Sequence, residues 1–395
     1  MQIKLTALNM PLLGALVANG AGHAYFVVTF PAIAREFEIP DLITSVIMSI
    51  SVIALIFTAP IWGSFSDKSG RQRILTLSLF GAGIATIMTG VLLSYIELFT
   101  AVTFGYCLLA IRISHGIVSS GLKPVTQATA ADVSTPANRL STMALIGATF
   151  GLGSILGGSL AVISGSQYIL LGYFVIGLVM LLTAIFFNGS FEETQPIRRH
   201  EITKISLKPV WFNLFSTVMA LMTYSTLQLM TNWYLKDVFL LSHDKAIRFA
   251  GLTMTLSMLA MIATQAWLYV KQTNARNSRL IGLLLLGIGL SLSALSDALP
   301  YFLTSMTLVG IGFGLFLPAN ITLMSLQVPK EQQGLLGGAN GLCQGIGLAS
   351  GPLAASLLYQ ITPQLPFAIF ASIFILMLGL IRLSSIGETN IKWSN

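Results

Sequence analysis

The chain has 395 residues, of which 54% are apolar and 9% charged, with 36 glycines. Soluble domains are about one quarter charged, so a chain this long has too few polar groups to cover itself in water, and a soluble enzyme is excluded. Intrinsic disorder and a disulfide-stapled secreted scaffold are excluded too, because the two cysteines, Cys107 and Cys343, lie inside apolar runs. The net charge of +7 reads as basic loops beside a membrane rather than as a nucleic-acid surface, and no nucleic-acid partner is expected. A membrane helix takes about 20 apolar residues, so twelve would use about 240 and leave about 12 for each connection.

Apolar runs broken by charge, Pro or Gly define twelve spans, at 8–31, 42–63, 74–94, 98–121, 140–163, 167–187, 211–235, 248–270, 280–297, 301–326, 335–360 and 366–385. The runs are too long for barrel strands and lack a period of two. The first carries Asn19 and His23 in its middle and no small-residue cleavage site, so it reads as a span and not as a cleavable signal. Of the 21 Lys and Arg, only Arg35, Lys236, Lys245 and Arg248 fall on loops of one side, and Arg112 and Lys123 fall within the fourth span. The rest share the other side. The bias predicts a multi-pass protein of the cytoplasmic (inner) membrane with both termini in the cytoplasm.

A polar stretch from Asn188 to Pro209 separates six spans from six. The expected organisation is a six-helix bundle over 1–188, a cytoplasmic linker over 189–209 and a second bundle over 210–395. The halves echo each other. Span five reads Gly147-x3-Gly151-x-Gly153, and span eleven reads Gly341-x3-Gly345-x-Gly347, 194 positions later. A second register, offset by 198, sets Gly153-Ser154 against Gly351-Pro352. The fold class expected is an all-α polytopic membrane protein, twelve transmembrane helices in two pseudo-symmetric bundles, the plan of many secondary transporters.

The loop after span two reads Gly63-Ser-Phe-Ser-Asp67-Lys68-Ser-Gly70-Arg71-Gln-Arg73. Gly63 would let a neighbouring helix approach closely. Gly70 would permit a turn with positive φ, and Asp67 can face the positive end of another helix. A merely solvated basic loop would explain the cations but not the Gly and Asp spacing. The pattern G-x-x-x-D-[KR]-x-G-R-x-[KR] resembles the signature loop of the major facilitator superfamily of transporters. That resemblance implies two bundles rocking about a central cavity. It implies that Asp67 docks near Gly337 and Gly338 when the cavity faces outward, with Arg71 a candidate partner for Asp132. The matching loop of the second half, with Trp267 and Lys271 where Gly and Asp would stand, keeps only the basic character, so the latch is expected in the first half alone. Arg112-Ile-Ser-His115-Gly116 is similar to the R-x-x-Q-G of the family's proton-coupled drug exporters, with His for Gln. Gly153-Ser154-Ile-Leu-Gly157-Gly158 is similar to the antiporters' G-P-x-x-G-G, with Ser for Pro, and reads equally as small-residue helix packing.

An ionisable group inside a span is costly and is a functional candidate. Arg112, Ser119 and Lys123 fall on one stripe of span four, with His115 beside it; Lys123 reads equally as a snorkelling lysine. Asn19 and His23 lie one turn apart on span one. The second half offers Tyr224, Gln228 and Asn232 on one stripe of span seven, Asn320 in span ten, and Asn340 and Gln344 in span eleven. Trp233 and Tyr234 are expected as interface anchors. No acidic residue sits at the middle of any span. That favours an anionic, zwitterionic or polar neutral substrate over a cationic drug, and leaves His23 and His115 as the groups to carry a coupling proton.

The function expected is a secondary active transporter, driven by protons, that exports a small anionic or polar metabolite such as a carboxylate siderophore. Multidrug efflux and import of an anionic metabolite are the alternatives. No cofactor, metal or ATP-binding loop is expected, the partners are substrate, protons and lipid, and a monomer suffices. An embedded enzyme would need catalytic groups clustered at one depth, and His200 and His243 fall on opposite sides of the membrane from each other. A channel would need a filter or a charged ring, which the sequence lacks.

Overall fold

A computed structural model describes residues 10–133, 139–187, 210–271, 273–328 and 333–387. The helices are α1 (Met10–Glu36), α2 (Asp41–Ser69), α3 (Arg71–Ser94), α4 (Ala101–Ser119), α5 (Leu122–Val133), α6 (Arg139–Ser164), α7 (Ile169–Phe187), α8 (Trp211–Asp237), α9 (His243–Lys271), α10 (Ala275–Leu295), α11 (Leu299–Leu326), α12 (Gln333–Tyr359) and α13 (Leu365–Gly387). No strand occurs among the described residues. The twelve expected spans are present, with span four divided into α4 and α5 at a turn through Ser120 and Gly121. The linker Asn188–Pro209 lies outside the described residues.

Three boundaries differ from the sequence reading. α1 continues through Pro31 to Glu36, because its last turns are buried among other helices, where a helical proline is tolerated. Span four does not end at Gly121 but runs on as α5 to Val133. α9 begins at His243, so Lys245 and Arg248 lie on its first turns rather than in a loop; Arg35 and Lys236 likewise close α1 and α8.

Among the described residues, eleven helices are long and apolar enough to cross a membrane, and α8 is not one of them. α8 buries Asn213, Ser216, Thr217, Thr223, Ser225, Thr226, Thr231 and Asn232. Its surroundings explain the composition: α12, α9, α1 and α11 pack around it, so its polar faces meet protein instead of lipid. Trp233 and Tyr234, expected as interface anchors, are fully buried for the same reason. Elsewhere large apolar side chains stand outward, among them Phe57 at 74% exposure and Phe186 at 70%, as a lipid-facing surface requires.

The principal contacts of the first bundle recur in the second. α1 packs on α6 as α8 packs on α12, α2 on α4 as α9 on α11, and α3 on α7 as α10 on α13. The bundles meet along α6 against α9 and α12 against α2. Glycines decide the register. A Cβ at Gly153 would strike the Val17 carbonyl and one at Gly157 the Ala21 carbonyl; one at Gly347 would sit 2.5 Å from the Val218 carbonyl and one at Gly351 2.5 Å from that of Met222. The 194 offset is therefore the structural one, because it pairs glycines that do the same work on corresponding helices.

The bundles diverge toward the face carrying the basic loops. Among the described residues, a side chain at Gly147 on α6 would meet nothing within 4 Å, one at Gly151 would lie 2.9 Å from Ile262, and one at Gly158 would lie 2.8 Å from Thr255. α12 repeats the trend against α2, from no described neighbour within 4 Å at Gly341 to Ile56 at 2.5 Å from Gly345. The described parts of the bundles are thus open toward the basic face and closed at the opposite one.

Candidate functional site

In the first bundle, α4 brings Arg112 over the ring of Phe26 on α1, with the guanidinium carbon 3.7 Å from the ring centroid. Phe26 stacks in turn on Phe30 at 4.9 Å. The ring's negative face offsets part of the cation's desolvation. Arg112 Nε is buried without a hydrogen-bond partner among the described residues. Arg112 and His115 lie one turn apart on α4, and among the described residues no carboxylate pairs with Arg112, His23, His115 or Lys123. His23 lies 6.2 Å, ring to ring, from Phe150 of α6. Asn19 is half-buried one turn away, Ser119 is buried, and Lys123 is exposed at the open side. Sequence reasoning missed Phe26, which the three-residue spacing from His23 could have given, and Tyr173 of α7, whose ring meets that of Tyr25 edge-on at 5.2 Å. Tyr173 bonds Thr29 Oγ1 at 2.7 Å, a contact across 144 positions with no local signal.

The second bundle holds a small cavity of about 60 Å³ between α8, α9 and α11, lined also by Val28 of α1. Tyr224 and Gln228 line it, and Tyr224 meets Phe313 edge-on at 5.9 Å. Asn232, on the same stripe, is buried with neither amide atom paired among the described residues. Asn320 and Asn340, expected in a cavity wall, sit instead in an interhelical hub. Asn320 Nδ2 donates to the Asn213 carbonyl at 2.9 Å and to Thr217 Oγ1 at 3.1 Å, and Thr217 donates to Asn340 Oδ1 at 3.0 Å. Arg279 Nη1 donates to Asn213 Oδ1 at 3.0 Å. The amides face the polar side of α8, which no single-helix stripe reveals. Gln344 is half-buried on α12.

At the α2–α3 turn, Gly70 has φ 93°, as a tight turn there requires, and its N–H reaches the Ser66 carbonyl at 3.1 Å. Arg71 is buried and donates to Ser66 Oγ at 2.6 Å. Lys68 and Arg73 are exposed. Among the described residues, a Cβ at Gly63 would meet nothing within 4 Å, and the same holds at Gly337 and Gly338. The side chains of Asp67 and Asp132 lie outside the described residues.

The opposite face is fastened by ion pairs. Arg35 donates to both carboxylate oxygens of Asp41, at 2.9 and 2.8 Å, and across the bundle interface to Asp237 Oδ2 at 2.5 Å. Tyr359 donates to the same oxygen at 2.9 Å, and the guanidinium lies 4.8 Å from the Trp233 ring and 5.3 Å from that of Tyr359. A second fastening joins α9 to the end of α6. Asp244 accepts from the backbone N–H of Ser166 at 2.8 Å, and Arg248 donates to the Val162 carbonyl at 2.8 Å, where a helix C-terminus favours a cation. Gly165 turns there at φ 51°, and a Cβ would strike Asp244. His243 pairs with Glu36 at 2.8 Å.

The sequence matches the profile of the Major Facilitator Superfamily over residues 12–271 and 249–390. The chain belongs to the major facilitator superfamily. It is a superfamily transporter and not an enzyme, in keeping with the relatives found. The chain is 24% identical to Multidrug resistance protein 2 of Bacillus subtilis over 93% of each chain. It is also 24% identical to the class C tetracycline resistance protein of Escherichia coli, over 94% of this chain and 95% of the relative. Its fold is similar to a bacterial homologue of the lysosomal transporter Spinster in an inward-facing, occupied conformation, with TM-score 0.78 and 15% identity over 100% and 99% of the two chains. It is also similar to the human organic anion transporter MFSD10, with TM-score 0.71 and 18% identity over 96% and 100%.

Proposed function

We propose that this superfamily transporter drives proton-coupled efflux of a small amphiphilic organic molecule that carries an anionic or strongly accepting group, a class that includes carboxylate siderophores. The observation that carries the reading is Arg112, which lies over Phe26 with its Nε buried and unbonded and which makes no ion pair among the described residues. A guanidinium inside a span needs a counterpart, and its paired donors match a carboxylate or phosphate. The division into bundles at 1–188 and 210–395, joined by a linker at 189–209, lets them rock about this site. Under the positive-inside bias the open basic face of this cytoplasmic-membrane protein is cytoplasmic, and both termini lie in the cytoplasm. The chain then stands ready to load from the cytoplasm. His23 and His115 are the coupling groups of this proposal. A monomer holds the whole path.

A second reading, export of neutral or cationic drugs, is favoured by the names of the multidrug and tetracycline relatives. The experiment is uphill flux in proteoliposomes under an imposed pH gradient, with extracts of medium from cells with and without the gene as the source of candidate substrates. Transport of an anion, greatly weakened in Arg112→Lys and nearly lost in Arg112→Ala, supports the first reading. Tetracycline flux unaffected by Arg112→Ala supports the second. Loss of uphill but not downhill flux in His23→Gln or His115→Gln identifies the coupling group.

A further inference from the structure

The outer wall of the second bundle carries a furrow that the Arg112 site does not use. α11 packs on α9 and on α10, while α9 and α10 scarcely touch each other among the described residues. Glycines draw α11 in. A Cβ at Gly310 would strike the Ser257 carbonyl of α9, and one at Gly312 would sit 2.9 Å from the backbone nitrogen of Leu286 on α10. α11 is therefore the floor of a groove whose walls are α9 and α10. The part away from the basic face has a volume of about 570 Å³, with Leu256, Leu292, Leu308 and Ile311 along it and Asp297 and Tyr301 at its mouth. A second stretch of about 360 Å³ shares Ile311 and reaches Trp267 on the basic side. The mouth differs in chemistry from the rest. Asp297 is exposed just ahead of α11 and makes no ion pair among the described residues, whereas Arg35 and Arg248 on the same face are held by Asp41, Asp237 and Asp244. Tyr301 is 68% exposed, as a ring at headgroup level is. An unpaired carboxylate at the end of an apolar groove repels an anionic headgroup and attracts a cationic one. The space also suits a lipid chain better than a partner helix. One leaflet's length of helix, about 15 Å long and 10 Å across, displaces roughly 1,200 Å³, about twice the 570 Å³ of the furrow.

We propose that the α9–α10–α11 furrow is a binding site for a phospholipid with a primary ammonium headgroup, phosphatidylethanolamine being the simplest, whose acyl chain lies along α11 and whose ammonium donates to the Asp297 carboxylate. The Tyr301 hydroxyl is placed to donate to the lipid phosphate. The site is in the leaflet opposite the basic face, and it is independent of what the protein transports. Its chain fills the gap that the walls leave, so the lipid bridges α9 and α10, which otherwise meet only through α11. Asp297 also suits the start of α11, where the helix dipole favours an anion. That local role is indifferent to headgroup, so a headgroup preference is the property that separates the two.

The test places the full-length protein in nanodiscs made of equal phosphatidylethanolamine and phosphatidylglycerol. A trace of one or the other lipid carries a photoactivatable diazirine in its acyl chain, and adducts are located by peptide mass spectrometry. The ethanolamine probe should label Leu256, Leu308 or Ile311 roughly two- to fivefold more than the glycerol probe, the size of one exposed ion pair. Adducts at the outward Leu178 of α7, 53% exposed, should show no preference. Asp297→Asn keeps the side chain's shape and an acceptor for the start of α11, and it should lower ethanolamine labelling until the two probes are equal. Leu308→Trp fills the furrow and should remove adducts at Leu256 and Ile311 from both probes; if it folds poorly, the Asp297→Asn ratio decides alone. Equal labelling by the two probes in wild type overturns the site, as does a preference that survives Asp297→Asn. A rise of the glycerol probe alone in Asp297→Asn shows repulsion without recognition and overturns the ammonium contact. Absence of furrow adducts from either probe, as a seated partner helix would cause, overturns the lipid assignment. None of these readouts depends on flux, so failure of the efflux reading shows in the proteoliposome assay instead.

Discussion

Replacing Arg35 with Met should release the closed face, and the structure fixes how far. The bidentate bond to Asp41 joins α1 to α2 within one bundle, so it survives opening and drops out of the difference. Opening loses the contacts to the second bundle: the bond to Asp237 and the stacking on Trp233 and Tyr359. A charge-assisted bond contributes about 1.5–3 kcal/mol, but Asp237 is 38% exposed, and solvent screening brings this pair to about 1 kcal/mol. Each cation–π contact adds about 0.5–1 kcal/mol. The total of about 2–3 kcal/mol corresponds to a roughly 30- to 150-fold shift toward the form open at that face. Asp237→Asn should produce only the ion-pair part, roughly fivefold. Paired spin labels at Glu38 and Leu240, in a background with Cys107 and Cys343 replaced, read the two populations as short and long distances. Equal populations in wild type and Arg35→Met would refute the latch. So would identical shifts for Arg35→Met and Asp237→Asn, since the aromatic contribution would then be absent.

Gly153→Leu should prevent stable assembly, because its side chain would displace the Val17 backbone, while Gly63→Leu, with nothing within 4 Å, should leave thermal stability intact and slow only turnover; equal Tm losses would contradict the open basic face. Asp67→Asn should fold and insert normally but transport slowly, measured as initial flux, and a wild-type rate would remove the charge from the gate. Asn320→Leu removes two hydrogen bonds from the Asn213–Thr217 hub, a loss of about 1–3 kcal/mol that thermal unfolding in detergent should register as a lower Tm.

Most of the fold was legible because span length and glycine spacing are local properties. The Gly63–Arg73 loop identified the family from one stretch, and the turn at Gly70 follows from residue type alone. The site was legible only along single helices. Tyr224 and Gln228 were found from a stripe, and they do line a cavity. The interhelical bonds of Asn320 and Asn340 were not legible, because their partners, Asn213 and Thr217, stand more than 100 positions away. Arg35 registered only as a charge for orientation, since its partner Asp237 is 202 positions distant. Asp244 and Arg248, four apart on one helix, could have been paired from sequence. Their grip on the end of α6 could not.

The enclosure of α8 bears on how the chain is made. A segment with this many amides and hydroxyls partitions poorly into lipid as an isolated helix, yet it leaves the ribosome long before α12, the helix that covers much of it. Stable integration of α8 therefore waits on translation of α12, and nascent chains truncated before residue 333 expose a polar helix that membrane quality control can recognise. The second bundle is born as a unit, not one hairpin at a time.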